Sequence, residues 1–553
     1  MKKLVLVALI LVIAVGLVLA GCGKEAPAKP ATTTSPTPSP TPATPVVTPK
    51  TGGELKVISG AAVNQMGGPA EVPIAGIFWR TQLTACFERL FYQELGTDKL
   101  LPGLAKSWDI APDGKSMTLY LRDDVKFHDG TQFNAAAVKY NLEAQIATPV
   151  GKTNLRTVTS VDVINDYTVK LNFSEFSAVV VIYNLAAQEG IMASPTALQQ
   201  KATAETLATG LHTVGAGAFK FGSWTQGLTT KMVKWDGYYR KGLPYLDAIQ
   251  YTAIADPVTR TMAFRSGQGN WLNNISITDA AGLEKEGYLI SVNKFYYMNS
   301  YFPDGANADS PWSNVKVRQA FEYAIDREAI AKVSGQYSGK YGTGGAKSVY
   351  QLAVPEDSFY NKDLAPRLYN VDKAKQLLTE AGFPNGFTTS IYVQSGMPLD
   401  VPQLMQGYLA AVNIKAEIVP YEQAKLFSLR NDGWRNGLMP GMGGPMGRLN
   451  QWENNFRAYP PNTNFRSMYR PPGLNDMISA CVSKVDYNER SKLQKDLIKL
   501  FYDNAMGFPI SVSYELQAYD KSVKYMPEHY VQPSADSYFA ENWVDFAKIW
   551  IDK

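Results

Sequence analysis

The chain has 553 residues, of which 45% are hydrophobic, 19% are charged and 12% are aromatic. This length favours two or three structural units over one small core, and the composition is that of a soluble globular protein. The formal net charge of +4 arises before residue 52, where five lysines outnumber one glutamate. Because the rest of the chain is close to neutral, nucleic acid is not expected as a partner.

The N-terminus has the layout of a secretory signal. Two lysines precede an uncharged run rich in Leu, Val and Ile that extends to Leu19. A membrane span is the alternative, since the run approaches the roughly 20 residues that such a helix needs. The tetrapeptide Leu19-Ala20-Gly21-Cys22 resembles the bacterial lipobox, in which the chain is cut before a cysteine that accepts a lipid. We predict a signal peptide at residues 1–21 and a lipid anchor at Cys22.

Residues 22–51 are rich in Pro, Thr, Ser and Ala and contain almost no large apolar side chains. Such a segment cannot bury enough surface to fold, and its spaced prolines favour an extended conformation. We interpret it as a tether, with O-glycosylation left open. The mature protein is then extracytoplasmic and anchored to the bacterial membrane, at the cell surface or the periplasmic face.

The first part of the body has the alternation of β-strands. Charged or polar side chains alternate with apolar ones at residues 54–57, in a run that stops at Gly60, and again at 117–122. Two alternating runs meet at Asn165-Asp166, which predicts a hairpin. Residues from about 80 to 210 are therefore expected to form a mixed unit with an antiparallel component.

The second part of the body has helical periodicity. Apolar residues from Val317 to Ile325 share one helical face, and Asp326 is placed to cap the next helix. A further helix is predicted to end at Gly382. A strand, a helix and a strand follow between residues 389 and 419, which predicts a β-α-β unit with a parallel strand pair.

A last amphipathic helix is predicted over residues 490–505, ended by Pro509 before another strand. Together these patterns predict an α/β protein with an added mixed subdomain.

Motifs for catalysis or metal binding are absent from the sequence. It has no HExxH, paired CxxC, phosphate-loop or GxSxG motif, and His128, His212 and His529 lack metal-ligand spacing. Cys86 and Cys481 are interpreted as buried thiols, with their pairing left open. We therefore expect neither a metal nor a cofactor, and a binding protein rather than an enzyme.

His128 stands directly before Asp129 and Gly130, a pairing that invites a catalytic interpretation. However, a strand is predicted to end here, Asp129-Gly130 favours a turn, and Asn134 is placed to cap a helix that runs through Leu142. We interpret His128 as a structural residue at a strand-to-helix turn.

Five segments form an ordered set across the body: LAKSWDIAPDGKSMTLYLRDDVKFHDGTQFNAAAV, HTVGAGAFKFGSWTQG, KGLPYLDAIQY, SPWSNVKVRQAFEYAIDREAI and YNVDKAKQLLTEAGFPNGF. This set resembles the family 5 extracellular solute-binding proteins, the peptide/nickel-type receptors of ABC importers.

The resemblance implies an α/β, bilobal periplasmic-binding-protein-like fold of class II, in a three-domain variant with an extra mixed α+β subdomain in lobe one. Lobe one would combine an α/β domain at residues 52–77, 213–294 and 515–553 with the extra subdomain at 78–212. Lobe two would comprise residues 295–514.

The resemblance also implies a mechanism and partners. Chain crossings near Phe295–Asn299 and Gly507–Tyr514 would act as hinges, so a small-molecule or peptide ligand that touches both lobes favours a closed form. The closed form would dock on an ABC permease, while a separate ATPase subunit hydrolyses ATP. The receptor itself is expected to be a monomer.

Peptide-binding members commonly carry an aspartate in a Gly-Trp-x-x-Asp-Tyr-like run that pairs with the peptide's α-amine. Aligned without gaps, Gly441 takes the glycine position, Met442 the tryptophan and Pro445 the aspartate. The missing carboxylate argues against recognition of a free amine, because a buried ammonium needs a charge partner. The candidate contacts are instead the backbone of Gly441, Gly443 and Gly444 and the adaptable side chains of Met442 and Met446, with a surface loop as the alternative.

Four further candidates come from expected cleft positions. Trp271, Trp434 and Trp452 would suit flat ligands such as sugars or aromatic rings, although the core is the favoured place for each. Asn64 follows the first predicted strand, where a loop of lobe one would reach the ligand or remain solvated.

The default ligand is a peptide or a peptide-like molecule. The alternatives are an oligosaccharide or another non-peptide solute, and a non-transport sensor or adhesion lipoprotein on the same fold. A secreted hydrolase is a third class, for which the sequence nominates no nucleophile.

Overall fold

The computed structural model describes residues 48–63, 65–71, 84–94, 97–200, 202–339, 342–444, 446–458, 463–525 and 545–552. The predicted signal peptide, the lipidation site Cys22 and nearly all of the tether lie outside these ranges. Within them, no helix combines the length and apolarity needed to cross a membrane. The described residues from Pro49 onward pack as one compact unit.

The strands of the described residues are, in chain order, β1 (Glu54–Ser59), β2 (Glu88–Arg89), β3 (Phe91–Gln93), β4 (Leu100–Pro102), β5 (Ala105–Ile110), β6 (Ser116–Leu121), β7 (Val158–Asn165), β8 (Thr168–Phe173), β9 (Ile191–Met192), β10 (Phe219–Thr225), β11 (Thr229–Lys234), β12 (Ala248–Ala253), β13 (Trp271–Ile275), β14 (Leu289–Pro303), β15 (Gln336–Gly339), β16 (Gly342–Ser348), β17 (Thr388–Gln394), β18 (Lys415–Tyr421), β19 (Gly437–Gly443), β20 (Phe508–Tyr519), β21 (Val523–Lys524) and β22 (Trp550–Ile551).

The α-helices of the described residues are α1 (Ala135–Ile146), α2 (Pro149–Asn154), α3 (Pro195–Leu198), α4 (Ala204–Ala208), α5 (Pro257–Arg265), α6 (Ile277–Lys285), α7 (Val315–Ala324), α8 (Arg327–Val333), α9 (Val371–Glu380), α10 (Asp400–Ala410), α11 (Gln423–Asp432), α12 (Leu449–Gln451), α13 (Leu474–Val482) and α14 (Tyr487–Asp503). Short π-helical turns lie at Val179–Asn184 and Trp452–Phe456, and 3-10 turns at Thr84–Cys86, Pro311–Ser313 and Phe546–Lys548.

One large sheet runs through the molecule in the order β10-β11-β12-β1-β13-β20-β14-β19-β17-β18, with β16 also paired to β20 and β15 paired to β16. We call β10 to β13 with β1 the first strand group, and β15 to β19 the second strand group. β1 is parallel to β12 and β13, and β17 is parallel to β18 and β19. The predicted β-α-β unit is confirmed as β17, α10 and β18.

The long antiparallel strands β14 and β20 join the two groups. Their pairing runs from Leu289 opposite Tyr519 to Tyr301 opposite Phe508. The end of β20 pairs with β13 of the first group, whereas the end of β14 pairs with β19 of the second. The register of the pair is irregular between Val292 and Tyr296. Both predicted chain crossings fall on or beside these strands, and their action as hinges stays a prediction.

A separate antiparallel sheet, β5-β6-β8-β7, forms within the predicted extra subdomain. β7 and β8 make the predicted hairpin around Asn165-Asp166. Its buried side chains, including Leu119 and Leu171, share one continuous core with Met439 of the second strand group and with Trp452 of the π-helical turn that follows it in the chain. The four-stranded sheet therefore contributes to the same hydrophobic core as the second group. The predicted domain boundaries themselves stay a prediction.

Local signals placed several helix ends correctly. The side chain of Asn134 accepts a hydrogen bond from the Ala137 N–H at 3.0 Å and caps α1, and Asp326 caps α8 in the same way. Gly382 follows the end of α9 with φ of +90°, a conformation that glycine adopts without strain.

The expectation for Pro509 was wrong. α14 ends at Asp503, where Ala505 is left-handed and the Met506 N–H bonds back to the Phe501 carbonyl. Pro509 lies inside β20, opposite Ser300, where the register of the strand pair shifts. The helix therefore stops through its own C-terminal turn, before the proline is reached.

The two cysteines of the described body are buried, as interpreted from the sequence, and both are free thiols, a point that the sequence left open. Burial raises the pKa of both thiols, that of Cys481 to about 12. They are apolar core residues at neutral pH.

Candidate functional site

A cavity of about 400 Å³ lies beside the central sheet where β14, β17, β19 and β20 come together. These strands contribute Asn299, Tyr301, Pro440 and Ser511, among others. The remaining lining comes from α11, from residues 397–402 before and within α10, and from Ser334 at the end of α8. Its volume is within the range of small-molecule pockets.

Most of the lining is apolar or aromatic, and the polar contributions are few. The polar members are Asn299, Ser334, Gln394, Gln423, Arg430 and Ser511. The apolar and aromatic members are Tyr301, Tyr392, Val393, Met397, Pro398, Val401, Pro402, Leu426, Phe427, Pro440 and Ile510. The lining contains no carboxylate among the described residues. Such a cavity can hold a mainly apolar molecule by shape and orient it through a few polar contacts.

Arg430, near the end of α11, is the one cation in this lining. Its guanidinium carbon lies 4.1 Å from the ring centroid of Phe465 and 5.5 Å from that of Phe427. Its Nε is buried and has no hydrogen-bond partner among the described residues. Burial lowers the pKa of Arg430 to about 10, so it is still charged at neutral pH. The aromatic rings hold the cation in place without neutralising it.

Two residues of β14 provide polar atoms at the base of the cavity. The Asn299 amide donates to the hydroxyls of Ser511 and Ser513 on β20, at 3.3 and 3.2 Å. Burial raises the pKa of Tyr301 to about 12 and keeps its hydroxyl protonated. Both side chains therefore offer neutral hydrogen-bonding groups, next to the point where the two strand groups join.

The three candidate tryptophans are buried and do not line this cavity. Trp271 donates its indole N–H to Gln517 at 3.2 Å and packs against Tyr519. Trp434 and Trp452 donate theirs to nearby backbone carbonyls, each at 3.0 Å. Because their polar atoms are satisfied internally, these contacts favour the core role that the sequence left open.

The predicted glycine-rich run begins at the edge of the cavity. Pro440 lines it, and Gly441 follows in β19. A Cβ at Gly441 would lie 2.4 Å from the Phe302 ring, so glycine permits this close packing. Gly443 and Gly444 are half-buried, and Met446 is buried. Asn64, Pro445 and the Met442 side chain lie outside the described residues, and the ligand contacts of the run stay a prediction.

His128 lies at the strand-to-helix turn, as interpreted from the sequence. Its Nε2 is 3.0 Å from the Gly217 carbonyl oxygen, and its ring packs edge-on against Trp235. The Asp129 carboxylate accepts hydrogen bonds from Thr131 and Ser194. Desolvation lowers the pKa of His128 from 6.5 to about 4. A half-buried, neutral imidazole with these contacts has a structural role.

Sequence reasoning missed Tyr301, Phe427 and Arg430. The last two lie three residues apart on one face of α11, and Phe427 is 50% exposed, unusual for its size. The spacing was available in the sequence, but the same spacing occurs on ordinary surface helices. Only the neighbouring strands show that this face borders a cavity.

Comparison with known proteins supports a binding role for this architecture. The family described as "Bacterial extracellular solute-binding proteins, family 5 Middle" matches residues 99–459, more than half of the chain.

Individual proteins similar to this chain agree. The glutathione-binding protein GsiB of Pectobacterium atrosepticum is 36% identical over 347 residues, which are 61% of this chain and 64% of that protein. The periplasmic binding protein DppA of Helicobacter pylori, in complex with the peptide STSA, is 23% identical with a TM-score of 0.68, covering 91% of this chain and 99% of that one. AgaA from A. tumefaciens R10, in complex with agropinic acid, is 26% identical with the same TM-score and coverage.

The family match, the shared fold and a cavity lined for binding lead to one conclusion: this chain belongs to the family 5 bacterial extracellular solute-binding proteins, the receptors of ABC importers, and is not an enzyme.

Proposed function

We propose that this protein is a lipid-anchored extracytoplasmic receptor that captures a peptide or peptide-like solute in the cavity beside β14 and delivers it to an ABC permease. The observation that carries the proposal is this mainly apolar cavity in a chain of family 5. A monomeric receptor would act with a separate ATPase subunit, and Cys22 would carry the lipid.

Capture would proceed by lobe closure. The long strands β14 and β20 contribute to both strand groups, and Asn299 and Ser511 on these strands line the cavity. A solute bound at this junction would favour the closed arrangement over the open one. The lobes are those expected from the sequence, with boundaries at residues 294–295 and 514–515.

A peptide remains the default ligand. GsiB is named for binding glutathione, and DppA was solved with a tetrapeptide. The aligned position of the amine-pairing aspartate is Pro445, and the described cavity lining has no carboxylate. We therefore expect binding that does not depend on a free α-amine.

A binding screen tests the proposal. The purified protein would be titrated with tri- and tetrapeptides, each with a free and an N-acetylated amine, while its melting temperature is followed. A ligand at 100 times its Kd stabilises the folded protein by about 2.7 kcal/mol, and both forms of a bound peptide should do so equally. Loss of binding on acetylation would contradict amine-independent recognition. Failure of every peptide would contradict the peptide assignment.

A non-peptide solute is the second candidate, since AgaA was solved with agropinic acid. Native mass spectrometry of the protein isolated from its own host would distinguish the two by the mass of the retained ligand. Permease and ATPase genes beside this one would favour import over the sensor or adhesion alternative.

A further inference from the structure

Two buried guanidinium groups of the described chain, those of Arg470 and Arg318, donate to several backbone carbonyls. Arg470 donates to the carbonyls of Phe456 and Asn464 at 2.8 and 2.7 Å, and to three more at longer distances. Arg318 donates to four carbonyl oxygens in the same manner. Burial lowers the pKa of both groups to about 10. Carbonyl oxygens thus replace water around these two cations.

Arg430 experiences similar desolvation without this compensation. Its guanidinium makes no hydrogen bond or ion pair with any residue that the structure describes, and its Nε is fully buried. The contacts that hold it are the faces of Phe465 and Phe427. These rings orient the cation but leave its buried Nε–H without an acceptor among the described residues.

This unpaired Nε–H belongs to a residue that lines the cavity. Arg430 is the only cation in the described lining, which has no acid to pair with it. An uncompensated cation beside an apolar cavity favours an anionic group from outside the chain. The planar guanidinium fork matches a carboxylate in two parallel hydrogen bonds. One cation balances one carboxylate, whereas a doubly charged phosphate would require further donors.

We infer that the ligand of this receptor carries a carboxylate that pairs with Arg430, next to an apolar portion that packs against Met397, Val401 and Phe427. The inference rests on the proposed function and sharpens it. The group of the solute that the protein recognises is then its carboxylate. Its amine is not recognised in this way, because the aligned aspartate is missing. Peptides with a free C-terminal carboxylate after an apolar residue belong to this class.

The test compares matched ligands and matched variants. Tri- and tetrapeptides ending in Leu, Met or Phe would be titrated calorimetrically as free acids and as C-terminal amides. The wild-type protein should bind the acid at least about tenfold more tightly than the amide. Arg430→Gln should abolish this difference and keep the affinity for the amide. Arg435→Gln is the control, since Arg435 is 72% exposed and pairs with Asp309 on the surface.

Three results of this titration would overturn the inference. Equal binding of acid and amide by the wild type would do so while leaving the receptor function intact, as would a discrimination that persists in Arg430→Gln. Failure of every peptide in both forms would instead contradict the proposed peptide receptor, and the inference would fall with it.

A ligand-free measurement separates a binding role from a structural one. Arg430→Met should leave the melting temperature unchanged or raise it, because it removes an uncompensated cation. Arg470→Met should lower it, because five carbonyls lose their donor. If Arg430→Met lowers the melting temperature as much as Arg470→Met does, Arg430 has a partner within the protein, and the inference is overturned.

Discussion

Burial controls the charge of single residues in this protein, and His128 gives a measurable case. Its folded pKa of about 4 is below the ordinary 6.5 because the ring is desolvated, so the unfolded chain binds a proton that the folded chain excludes. The stability gained by burying the neutral ring is complete above pH 6.5 and is lost as pH falls toward 4.

The prediction for His128 follows from this lowered pKa. At about 1.4 kcal/mol for each tenfold change in proton affinity, the unfolding free energy should fall by an amount on the order of 3 kcal/mol between pH 7 and pH 4. His128→Gln should therefore lose less unfolding free energy over this range than the wild type, as measured by urea denaturation. His128→Ala should lower stability at pH 7 and leave the ligand affinity of the folded protein unchanged. Parallel pH profiles for wild type and His128→Gln, or a loss of affinity, would argue against a structural role.

Glu322 is a second residue whose contribution to the unfolding free energy depends on its partners. It is 2% exposed and pairs with Arg367 and, at 3.6 Å, with Arg327. Burial raises the pKa of its carboxyl group, against the effect of both arginines. Glu322→Gln leaves two buried cations without their anion and should cost about 3 kcal/mol of unfolding free energy. In the exposed control, Glu380→Gln removes the partner of Lys316 and should cost less than about 1 kcal/mol. Similar losses for the two variants in urea denaturation would contradict this expectation.

At the scale of elements, the cap of α1 can be tested separately from its packing. Asn134→Ala removes the acceptor for the Ala137 N–H and should lower the unfolding free energy by about 1 kcal/mol. Asn134→Ser retains an acceptor and should recover most of the loss. Denaturation followed by far-ultraviolet circular dichroism would measure both, and equal destabilisation by the two variants would mean that the cap is not the cause.

Elements with local signals could be predicted well. Alternation placed β1 and β6, periodicity placed α7 and α9, and cap signals marked one end each of α1, α8 and α9. The expectation for Pro509 was wrong because a strand tolerates proline where its register shifts. That shift depends on the partner strand β14. The face of α11 that borders the cavity could not be predicted for a similar reason. The sequence of a helix does not show which strands it will contact.

At the scale of the whole molecule, the proposed anchor can be removed without touching the body. Cys22→Ala should release the protein from the membrane fraction and leave ligand affinity unchanged, because the thiol is the proposed site of lipid attachment. Fractionation with labelled fatty acid would measure both attachment and location. Continued labelling in Cys22→Ala would contradict the assignment.

The molecule is also held by contacts between residues far apart in the sequence. Asp98 and Arg490 are both buried, with their charged atoms 3.7 Å apart, and Tyr183 donates to the same Asp98 carboxylate. Arg156 reaches Glu453 at 2.6 Å across 297 positions. These pairs join the predicted extra subdomain to residues of the predicted lobe two. No local sequence pattern predicts any of them.

The sequence alone determined the α/β class, the main strands and helices, the family resemblance and the structural interpretation of His128, because alternation, periodicity, caps and ordered motifs are properties of neighbouring residues. The tertiary structure decided that the three candidate tryptophans are buried and that Arg430 borders a cavity with its Nε–H unpaired among the described residues. Exposure and pairing depend on which distant segments surround a side chain. That information arises only when the chain has folded.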